Sequence, residues 1–422
     1  MNHLSFKGDH YEMGVMRGKL LKESGITIPL YLDEFQRKHG EMSEPLLRKF
    51  FPEVCGEIRG VSETIGVDYT AFAAWLLCMG CCMYNLESNI PCSARESEIR
   101  GCTAFAFSVD GNVIYGRNND LPPFLKDKCN NEMYHPSGGN RFSLTTSSLI
   151  NGEEGLNEHG LAVAMTFVMT RLEMIRPGFN SCFIVRYLLE KAKSAGHALS
   201  LLWELPVASN CNILIADPSG EMMVVECTPS VKRVREAKTL PQGSLVCTVN
   251  SFTSEEMALY DAAHGDDYQS VRRYQTVMES FPEILAEISA AAEAERAGQK
   301  YTAAEAERTA SKPTAAEAER TASKPAAAKA ERTEPKPAAA DADCAGLKPA
   351  AAGSTEPEPA PKAALIKATQ ELLKGRYGFM CQYDDSPEFE TVWSSVFDLK
   401  SRTIWRAEGD PRTTAFTTFS GI

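Results

Sequence analysis

The spacing of apolar residues changes at about residue 101, and this change limits the folds that the chain can adopt. Before that point, apolar residues recur every three or four positions in three segments, as in amphipathic helices: YEMGVMRGKLLKES, EPLLRKFFPEVCGEIRGVSETIG and YTAFAAWLLCMGCCMYN. Short strand-like runs follow. We therefore expect a helical segment, 1–101, ahead of a core in which consecutive strands and consecutive helices form an α+β fold rather than a doubly wound βαβ sheet.

The strand-like runs begin with a hairpin. TAFAFSV and NVIYGRN flank Asp110–Gly111, a dipeptide typical of two-residue turns. Two stretches with helical spacing occur further on, SCFIVRYLLEKAKSAGHALSLLWEL and SVRRYQTVMESFPEILAEIS. Five further runs have strand character: RFSLTTSSL, GLAVAMTFVM, CNILIAD, EMMVVECT and SLVCTVN. We expect these elements, residues 102–289, to form the greater part of one folded core.

A low-complexity segment separates this core from the end of the chain. The sequence TAAEAERTASKP occupies 302–313 and is repeated at 314–325, with a degraded copy after it. From 290 to 362 there is hardly an aromatic or branched apolar residue, so the segment cannot bury enough surface to offset its ordering entropy. We expect a disordered insert there. The tail, 363–422, carries the strand-like runs TVWSSVFDL and TIWRAEGDP and is expected to complete the core.

Charge and hydropathy limit the partners of the chain. It has 44 basic and 56 acidic residues, a net charge of −12, whereas nucleic acids and anionic membranes require a basic face. No apolar run of signal-peptide length opens the sequence, and the most apolar stretch, AFAAWLLCMGCCM, is shorter than a membrane span. We therefore expect a cytoplasmic protein with neither nucleic acid nor membrane as a partner.

The 13 cysteines are odd in number and lie mostly in apolar runs, which predicts reduced core thiols rather than disulfides. The run CMGCC, with Cys78, Cys81 and Cys82, has one spacing found in metal sites. No second ligand pair at a plausible distance is obvious. We expect these thiols to pack within a buried helix, and we expect no metal and no organic cofactor.

The bond between Gly101 and Cys102, at the head of the hairpin, has a particular reactivity. A thiol can attack the preceding carbonyl and shift the acyl group from nitrogen to sulfur; water then hydrolyses the thioester and leaves Cys102 as a new N-terminus. Glycine favours this attack because it has no Cβ and tolerates a strained backbone. The freed α-amine, with an ordinary pKa of about 7.7–8.0, can accept the thiol proton without a histidine.

Two charged residues at the far end of the hairpin accompany this cysteine. Because the second strand returns past the first, the run GRNND is expected near Cys102. There Asp120 can accept a hydrogen bond from the α-ammonium group, and Arg117 can lower the pKa of the thiol or bind a carboxylate. A surface turn with mixed charges explains the same two residues, so on their own they leave both interpretations open.

These features resemble the N-terminal-nucleophile hydrolases of the penicillin acyltransferase type, the autoproteolytic peptidase family C45, and the related choloylglycine hydrolases. The resemblance covers nearly everything outside 290–362. It implies a four-layer αββα sandwich, made as a precursor and cut between Gly101 and Cys102, with 1–101 kept as a bound small subunit. The motifs that carry it, in chain order, are GDHYEMGVMRGKLL, RGCTAF…GRNND, GLNEHGLAVAMTFV, VCTVNSFTS, SVRRYQTV and TVWSSVFDL…EGDP.

The resemblance also implies a role for each site residue. Cys102 is the expected nucleophile and self-cleavage site. Asp120 is expected to orient the new amine and thiol, and Arg117 to act as a nearby electrostatic group. Asn250 is expected to donate from its side-chain amide to the tetrahedral oxyanion, where one donor is worth about 3–4 kcal/mol. A strand-end cap is the competing interpretation of Asn250.

Two further positions bear on the substrate. Arg273 is expected to close the site through its charge and to bind substrate, with Arg272 as a rival because the helix start can be read one residue earlier. Thr166 stands near the position where choloylglycine hydrolases place a second polar amide, which argues against a bile-salt substrate.

The expected reaction is attack of the Cys102 thiolate on a linear amide of a small molecule, release of an amine, and transfer of the acyl group to water or to another amine. The enzyme is then an amidohydrolase or an N-acyltransferase, and the sequence does not choose between them or exclude an oligomer. One competing hypothesis is a non-catalytic scaffold whose insert binds a partner. Another is a histidine-assisted cysteine protease, although no histidine lies in a recognisable partner motif, including His135, His159 and His197.

Overall fold

The computed structural model describes residues 1–28, 30–82, 101–262, 269–310, 360–380, 390–419 and 422, with the backbone alone at 124, 298–310, 360 and 361. The strands, in chain order, are β1 (Asn2–Gly8), β2 (Gly101–Val109), β3 (Asn112–Leu121), β4 (Asn130–Pro136), β5 (Phe142–Thr146), β6 (Glu154–Asn157), β7 (Ala162–Phe167), β8 (Cys211–Ala216), β9 (Met222–Cys227), β10 (Lys232–Glu236), β11 (Lys238–Leu240), β12 (Gly243–Thr248), β13 (Glu390–Asp398), β14 (Thr403–Ala407) and β15 (Thr417–Phe419).

Eight helices accompany these strands in the described part of the chain. None of them combines the length and the apolar character needed to cross a membrane. They are α1 (His10–Glu23), α2 (Glu34–Phe50), α3 (Pro52–Ile65), α4 (Tyr69–Cys78), α5 (Ser181–Lys191), α6 (Ala195–Glu204), α7 (Ser270–Ala310) and α8 (Ala360–Leu373).

The strands form two sheets. The larger has the spatial order β1-β4-β5-β6-β7-β8-β9-β10, and the smaller has the order β11-β12-β2-β3-β13-β14-β15. Helices α1 to α6 cover the outer face of the larger sheet, and α7 and α8 cover the outer face of the smaller one. The α+β class and the four-layer αββα arrangement predicted from the sequence are therefore confirmed.

Small and large side chains alternate along β2, and this alternation explains how the two sheets stack. Ala104 and Ala106 point inward and pack against residues of the larger sheet, such as Ala164. Phe105 and Phe107 point outward into the apolar layer formed with α7 and α8. Small residues on the inner face let the sheets approach, and large residues on the outer face fill the space under the helices.

The predicted hairpin is present, and its turn sets the register of the site. Asp110 and Gly111 both have positive φ angles, 49° and 72°, as a two-residue turn of this kind requires. Val109 pairs with Asn112, and the pairing continues down to Gly101 opposite Asp120. The cysteine at the head of β2 therefore lies beside the polar end of β3.

The N-terminal segment is not entirely helical, so the prediction for 1–101 is wrong at its start. Residues 2–8 form β1, which pairs in parallel with β4 over the whole length of both strands. Only Phe6 of β1 is fully buried, and the strand with which β1 pairs lies more than 120 residues later in the chain. Local spacing of apolar residues could not report that pairing.

Two helical predictions also change in detail. The stretch from 181 to 205 is two helices, because Ala192 is extended and Ser194 caps a new helix by accepting a hydrogen bond from the backbone N–H of His197. Helix α7 continues past residue 290 to Ala310, through the first AAEAER run, whose alanines and glutamates favour helix. Regular structure thus extends beyond the predicted start of the insert; the rest of the insert, 311–359, lies outside the described residues.

Candidate active site

Cys102 lies at the head of β2, directly opposite Asn119 of β3, with only 3% of its surface exposed. Its Sγ–H donates to the side-chain oxygen of Asn119, with a distance of 3.0 Å between the two atoms. Nη2 of Arg117 lies 3.2 Å from the same sulfur. The thiol therefore sits between a polar acceptor and a cation, as the sequence predicted for Arg117 but not for Asn119.

Arg117 spans the space between the two sheets. It is fully buried, its Nη1 donates to the backbone oxygen of Met165 in β7 at 2.6 Å, and its Nη2 donates to Asn119 at 2.6 Å. No carboxylate of the described residues forms an ion pair with it, so its charge is directed at the sulfur. Burial nevertheless outweighs the fields of Arg117 and Arg273, and the pKa of the Cys102 thiol is raised.

Asp120 lies on the opposite face of the hairpin, beside Gly101. One carboxylate oxygen accepts a hydrogen bond of 2.5 Å from the Thr391 hydroxyl, and the other, although buried, has no hydrogen-bond partner among the described residues. Burial raises the pKa of Asp120 to about 6, against the opposing effects of Arg273, Thr391 and Arg117.

Asn250 follows β12 and contacts the backbone of the cysteine. Its side-chain oxygen accepts from the Cys102 N–H at 2.6 Å and from Nη2 of Arg273 at 3.0 Å, while its Nδ2 donates to the backbone oxygen of Phe167 at 3.0 Å. Two donors on one side and an acceptor on the other fix the orientation of the amide. The nitrogen thus has one described acceptor for its two hydrogens, and the oxygen holds the nitrogen of the Gly101–Cys102 bond.

Arg273, in the first turn of α7, is the arginine that reaches the site. Its Nη1 donates to the backbone oxygen of Cys102 and, at 2.7 Å, to the hydroxyl of Thr103. Arg272 is exposed, and its guanidinium lies over the ring of Phe379, 4.4 Å from the centroid. Of the two rival residues, the structure brings only Arg273 next to Cys102.

The segment that carries Asn250 is braced by Asn212, which sequence reasoning did not single out, and by Thr166. Nδ2 of Asn212 in β8 donates to the backbone oxygens of Val249 and Ser251, at 2.9 and 3.1 Å, on either side of Asn250. The hydroxyl of Thr166 donates to the same Val249 oxygen at 2.6 Å. Thr166 therefore uses its polar atom to hold the backbone next to Asn250.

Histidine is not among the described side chains that contact Cys102, whose sulfur bonds only to Arg117 and Asn119 in the described part of the chain. His159 bonds to Asn140 and His197 lies at the exposed start of α6, while His135 is on β4. These positions do not support the histidine-assisted protease.

Comparison with known proteins identifies one matching family model and several similar solved structures. The family model described as Acyl-coenzyme A:6-aminopenicillanic acid acyl-transferase matches residues 108–314, just under half of the chain, beginning after Cys102. This match confirms the resemblance to the N-terminal-nucleophile hydrolases of the penicillin acyltransferase type. No curated protein matches the chain.

Among solved structures, the chain is similar to penicillin V acylase from Agrobacterium tumefaciens, with 14% sequence identity over 73% of this chain and 83% of that chain and a TM-score of 0.36. It is also similar to a mutant of the conjugated bile acid hydrolase from Clostridium perfringens, with 10% identity over 76% of this chain and 97% of that chain and a TM-score of 0.31.

Proposed function

We propose that this protein is an N-terminal-nucleophile amidohydrolase or N-acyltransferase that acts on linear amides through Cys102, after self-cleavage of the Gly101–Cys102 bond. The observation that carries the proposal is the arrangement around Cys102: a cation 3.2 Å from its sulfur, and the Asn250 oxygen 2.6 Å from its nitrogen. Both atoms that the mechanism needs, the thiol and the nitrogen of the bond to be broken, are thus held by buried side chains.

The first reaction is maturation. The Cys102 sulfur attacks the Gly101 carbonyl carbon, the C–N bond breaks, and the nitrogen takes the thiol proton to become an amine. Water then hydrolyses the thioester to a Gly101 carboxylate and a free thiol. Asn250 holds the nitrogen throughout. The second carboxylate oxygen of Asp120, which has no partner among the described residues and stands at the strand position facing Gly101, is suited to accept from the new α-ammonium group.

The second reaction is turnover. The α-amine of Cys102 takes the thiol proton, the thiolate attacks the carbonyl carbon of a linear amide, and the same amine returns the proton to the leaving nitrogen. An acyl-Cys102 thioester remains, which water or an amine then resolves. Arg117 stabilises the thiolate, and the second N–H of Asn250 is available for the oxyanion. Arg273, already bound to the Cys102 backbone, supplies positive charge at the rim of the site.

The two fragments of a cut chain are proposed to stay together, as 1–101 and a catalytic core formed by 102–289 and 363–422. Strand β1 is part of the larger sheet, and a buried ionic network joins the segments. Arg17 donates to both Glu132 oxygens at 2.9 and 2.6 Å, and Glu57 accepts from Arg186 at 2.8 Å. We also propose a cytoplasmic location, which the free state of the described cysteines supports.

The test is intact mass and N-terminal sequencing of the purified wild-type chain, the Cys102→Ala variant and a Cys129→Ala control. Cys129 is another buried thiol, whose Sγ donates to the Leu125 oxygen. We expect wild type and control to give two fragments, the larger beginning at Cys102, and Cys102→Ala to remain a single chain of 46.3 kDa. A panel of N-acyl amino acids and β-lactam amides, with detection of the released amine, then defines the substrate.

The outcomes separate the competing hypotheses. A Cys102→Ala chain that still splits after Gly101 overturns self-cleavage. Full amidase activity from a preparation with an intact Gly101–Cys102 bond overturns the mechanism. An uncut wild-type chain with no activity on the panel favours the non-catalytic scaffold.

A further inference from the structure

Three side chains of metal-ligand type meet where α2 contacts the turn after α4. They are His39 of α2, and Cys81 and Cys82 of the turn; His39 Nε2 and the two sulfurs all lie within 4.8 Å of one another. The Cys81 sulfur is 3.8 Å from His39 Nε2. We propose that this cluster is a binding site for a thiophilic d¹⁰ cation, and that Zn²⁺ is its expected occupant.

The backbone after α4 brings both cysteines to the same place. The helix ends at Cys78 because Met79 is extended, with ψ at 133°, and Gly80 adopts the left-handed conformation, with φ at 66°. The N–H groups of Cys81 and Cys82 then both donate to the Cys78 oxygen, at 3.1 and 2.9 Å. This turn replaces the continuous helix that the sequence predicted through CMGCC, and it directs two neighbouring thiols towards α2.

The surrounding residues hold the ligands in position. The His39 ring stacks on Phe35, with an interplanar angle of 10°, and hydrogen-bonds the backbone of Leu77. Gln36, one turn before His39, donates from its side chain to the Cys82 backbone oxygen at 2.8 Å. Bonds of this kind from outside the ligand set orient metal ligands in known sites. The Nε2 atom of His39, which faces the Cys81 sulfur, also lies 3.5 Å from the Ser43 hydroxyl, and a coordinated ion would replace that contact.

The donor set selects the class of ion. Two sulfurs and one imidazole nitrogen suit Zn²⁺ or Cu⁺, whereas Mg²⁺ and Ca²⁺ need oxygen ligands, and no carboxylate of the described residues joins the cluster. With Zn–S near 2.3 Å and Zn–N near 2.0–2.1 Å, a tetrahedral ion draws its ligand atoms to roughly 3.5–3.8 Å of one another. The Cys81–His39 pair is within about 0.3 Å of that spacing, and the rest of the cluster requires a contraction of about 1.3 Å at most.

A water molecule would supply the fourth ligand. Cys81 is partly exposed, while His39 and Cys82 are 5% and 4% exposed. Three protein ligands and one water form a known zinc arrangement. An ion here would join α2 to the turn that ends α4, in the last described residues before Gly101.

The test is a titration of the reduced, metal-free full chain with Zn²⁺ against a chromophoric chelator, followed by Co²⁺ substitution and a parallel titration with Cu⁺. Four variants accompany wild type: Cys82→Ser, His39→Gln, Cys55→Ser and Cys102→Ala. Cys55 is a buried free thiol of α3 and is the matched control. Circular dichroism of each variant establishes that it is folded. If Cys82→Ser does not fold, His39→Gln alone tests the loss of a ligand.

We expect one Zn²⁺ per chain, a thiolate-to-cobalt charge-transfer band, and an affinity loss of at least about 100-fold in Cys82→Ser and His39→Gln, since outer-shell changes alone cost about 10–100-fold. Cys55→Ser and Cys102→Ala should bind as wild type does. Stoichiometric Cu⁺ with weak Zn²⁺ still supports the site but changes its occupant. The proposal is overturned if neither ion binds stoichiometrically, if Cys82→Ser and His39→Gln bind like wild type, or if only Cys102→Ala loses the ion.

Discussion

The side-chain oxygen of Asn250 lies 2.6 Å from the backbone nitrogen of Cys102, although 148 positions separate the two residues in the chain. The same oxygen accepts from Arg273, so one amide connects the nitrogen of the proposed scissile bond to the buried cation of α7. In the continuous chain, Asn250 thus contacts the proposed scissile bond through its side-chain oxygen, which accepts a hydrogen bond, and not through its side-chain NH2 group. Its proposed role in maturation is therefore distinct from its proposed role in turnover.

Asn250→Leu should slow self-cleavage by about 10²–10³-fold, the usual effect of losing one preorganised polar contact at a reacting centre. The nitrogen of the bond and the guanidinium of Arg273 both lose their acceptor in this variant. The rate of fragment formation after synthesis in a cell-free system measures the effect. Asn140→Leu is the control, because Asn140 is also buried and bonded to backbone oxygens, but lies beside α5. Equal rates for the two variants would contradict the assignment.

Asn119→Ala should lower the pKa of the Cys102 thiol in the cut enzyme. The variant removes an acceptor that stabilises the protonated thiol, and it leaves Nη2 of Arg117 to interact with the sulfur alone. The pH dependence of alkylation by iodoacetamide measures the shift. Asn118→Ala is the control, since the neighbouring Asn118 points to the other face and bonds to the Leu373 oxygen. A shift towards higher pH in Asn119→Ala would refute this explanation.

Arg273→Met should stop or strongly slow maturation, and Arg272→Met should leave it near the wild-type rate. The two residues are adjacent in sequence, but only Arg273 is buried against the Cys102 backbone and Thr103, while Arg272 is exposed. Removing the buried cation leaves the polar groups that it contacts without a donor. The rate of maturation should therefore fall several-fold more than it does when the exposed arginine is replaced. Fragment formation followed on a denaturing gel compares the pair directly. Comparable defects in both variants would contradict the proposed site.

Asp120 should make the uncut chain less stable as pH rises. Its folded-state pKa is about 6, above its ordinary 3.8, so the folded form holds the proton more tightly. The stabilisation from this group is complete below its unfolded pKa and is lost as pH rises through 6. Between about pH 4 and pH 7 the loss is about 2 kcal/mol in the free energy of unfolding.

Urea unfolding of Cys102→Ala, with and without Asp120→Asn, isolates this contribution as the difference between two pH profiles. Asp110→Asn, in the exposed hairpin turn, is the control and should not change the profile. A difference profile that is flat between pH 4 and 7 would contradict the predicted titration.

Arg17→Met should destabilise the protein by about 3–5 kcal/mol, because it leaves Glu132 charged, buried and without its main partner. Adding Glu132→Gln to this variant should recover part of the loss. Thermal unfolding and gel filtration of the cut protein measure stability and retention of the small fragment. Arg59→Met, on the exposed side of α3, is the control and should change stability by less than about 0.5 kcal/mol. An unchanged Arg17→Met protein would show that the network does not hold the segments together.

Part of this site could be predicted from the sequence. A two-residue turn at Asp110–Gly111 pairs 109 with 112, and counting back along both strands puts Cys102 opposite Asn119. The positions of Asp120 and Arg117 near Cys102 follow from the same hairpin. The run of strands and helices was sufficient to predict the α+β class, whereas the four-layer arrangement came from the family resemblance. Asn119 could therefore have been identified by register alone.

Other contacts depend on tertiary packing, which cannot be predicted from local patterns in the sequence. Thr391 reaches Asp120 across 271 positions, and His39 meets Cys81 from another helix. Arg272 and Arg273 have the same chemistry, and only the docking of α7 decides which one is buried. Strand β1 was missed for a similar reason, since its partner is β4.

Strand β1 has a consequence for how such a protein is made. It is an edge strand of the larger sheet and pairs with β4 over seven residue pairs. A core translated from Cys102 onwards would present the bare hydrogen-bonding groups of β4 to its neighbours, which invites aggregation. Synthesis as one polypeptide supplies every core with its own edge strand, in equal numbers and at high local concentration, ahead of the proposed self-cleavage. Co-expressing residues 1–101 and 102–422 as separate chains should therefore yield less soluble protein than expressing the uninterrupted gene.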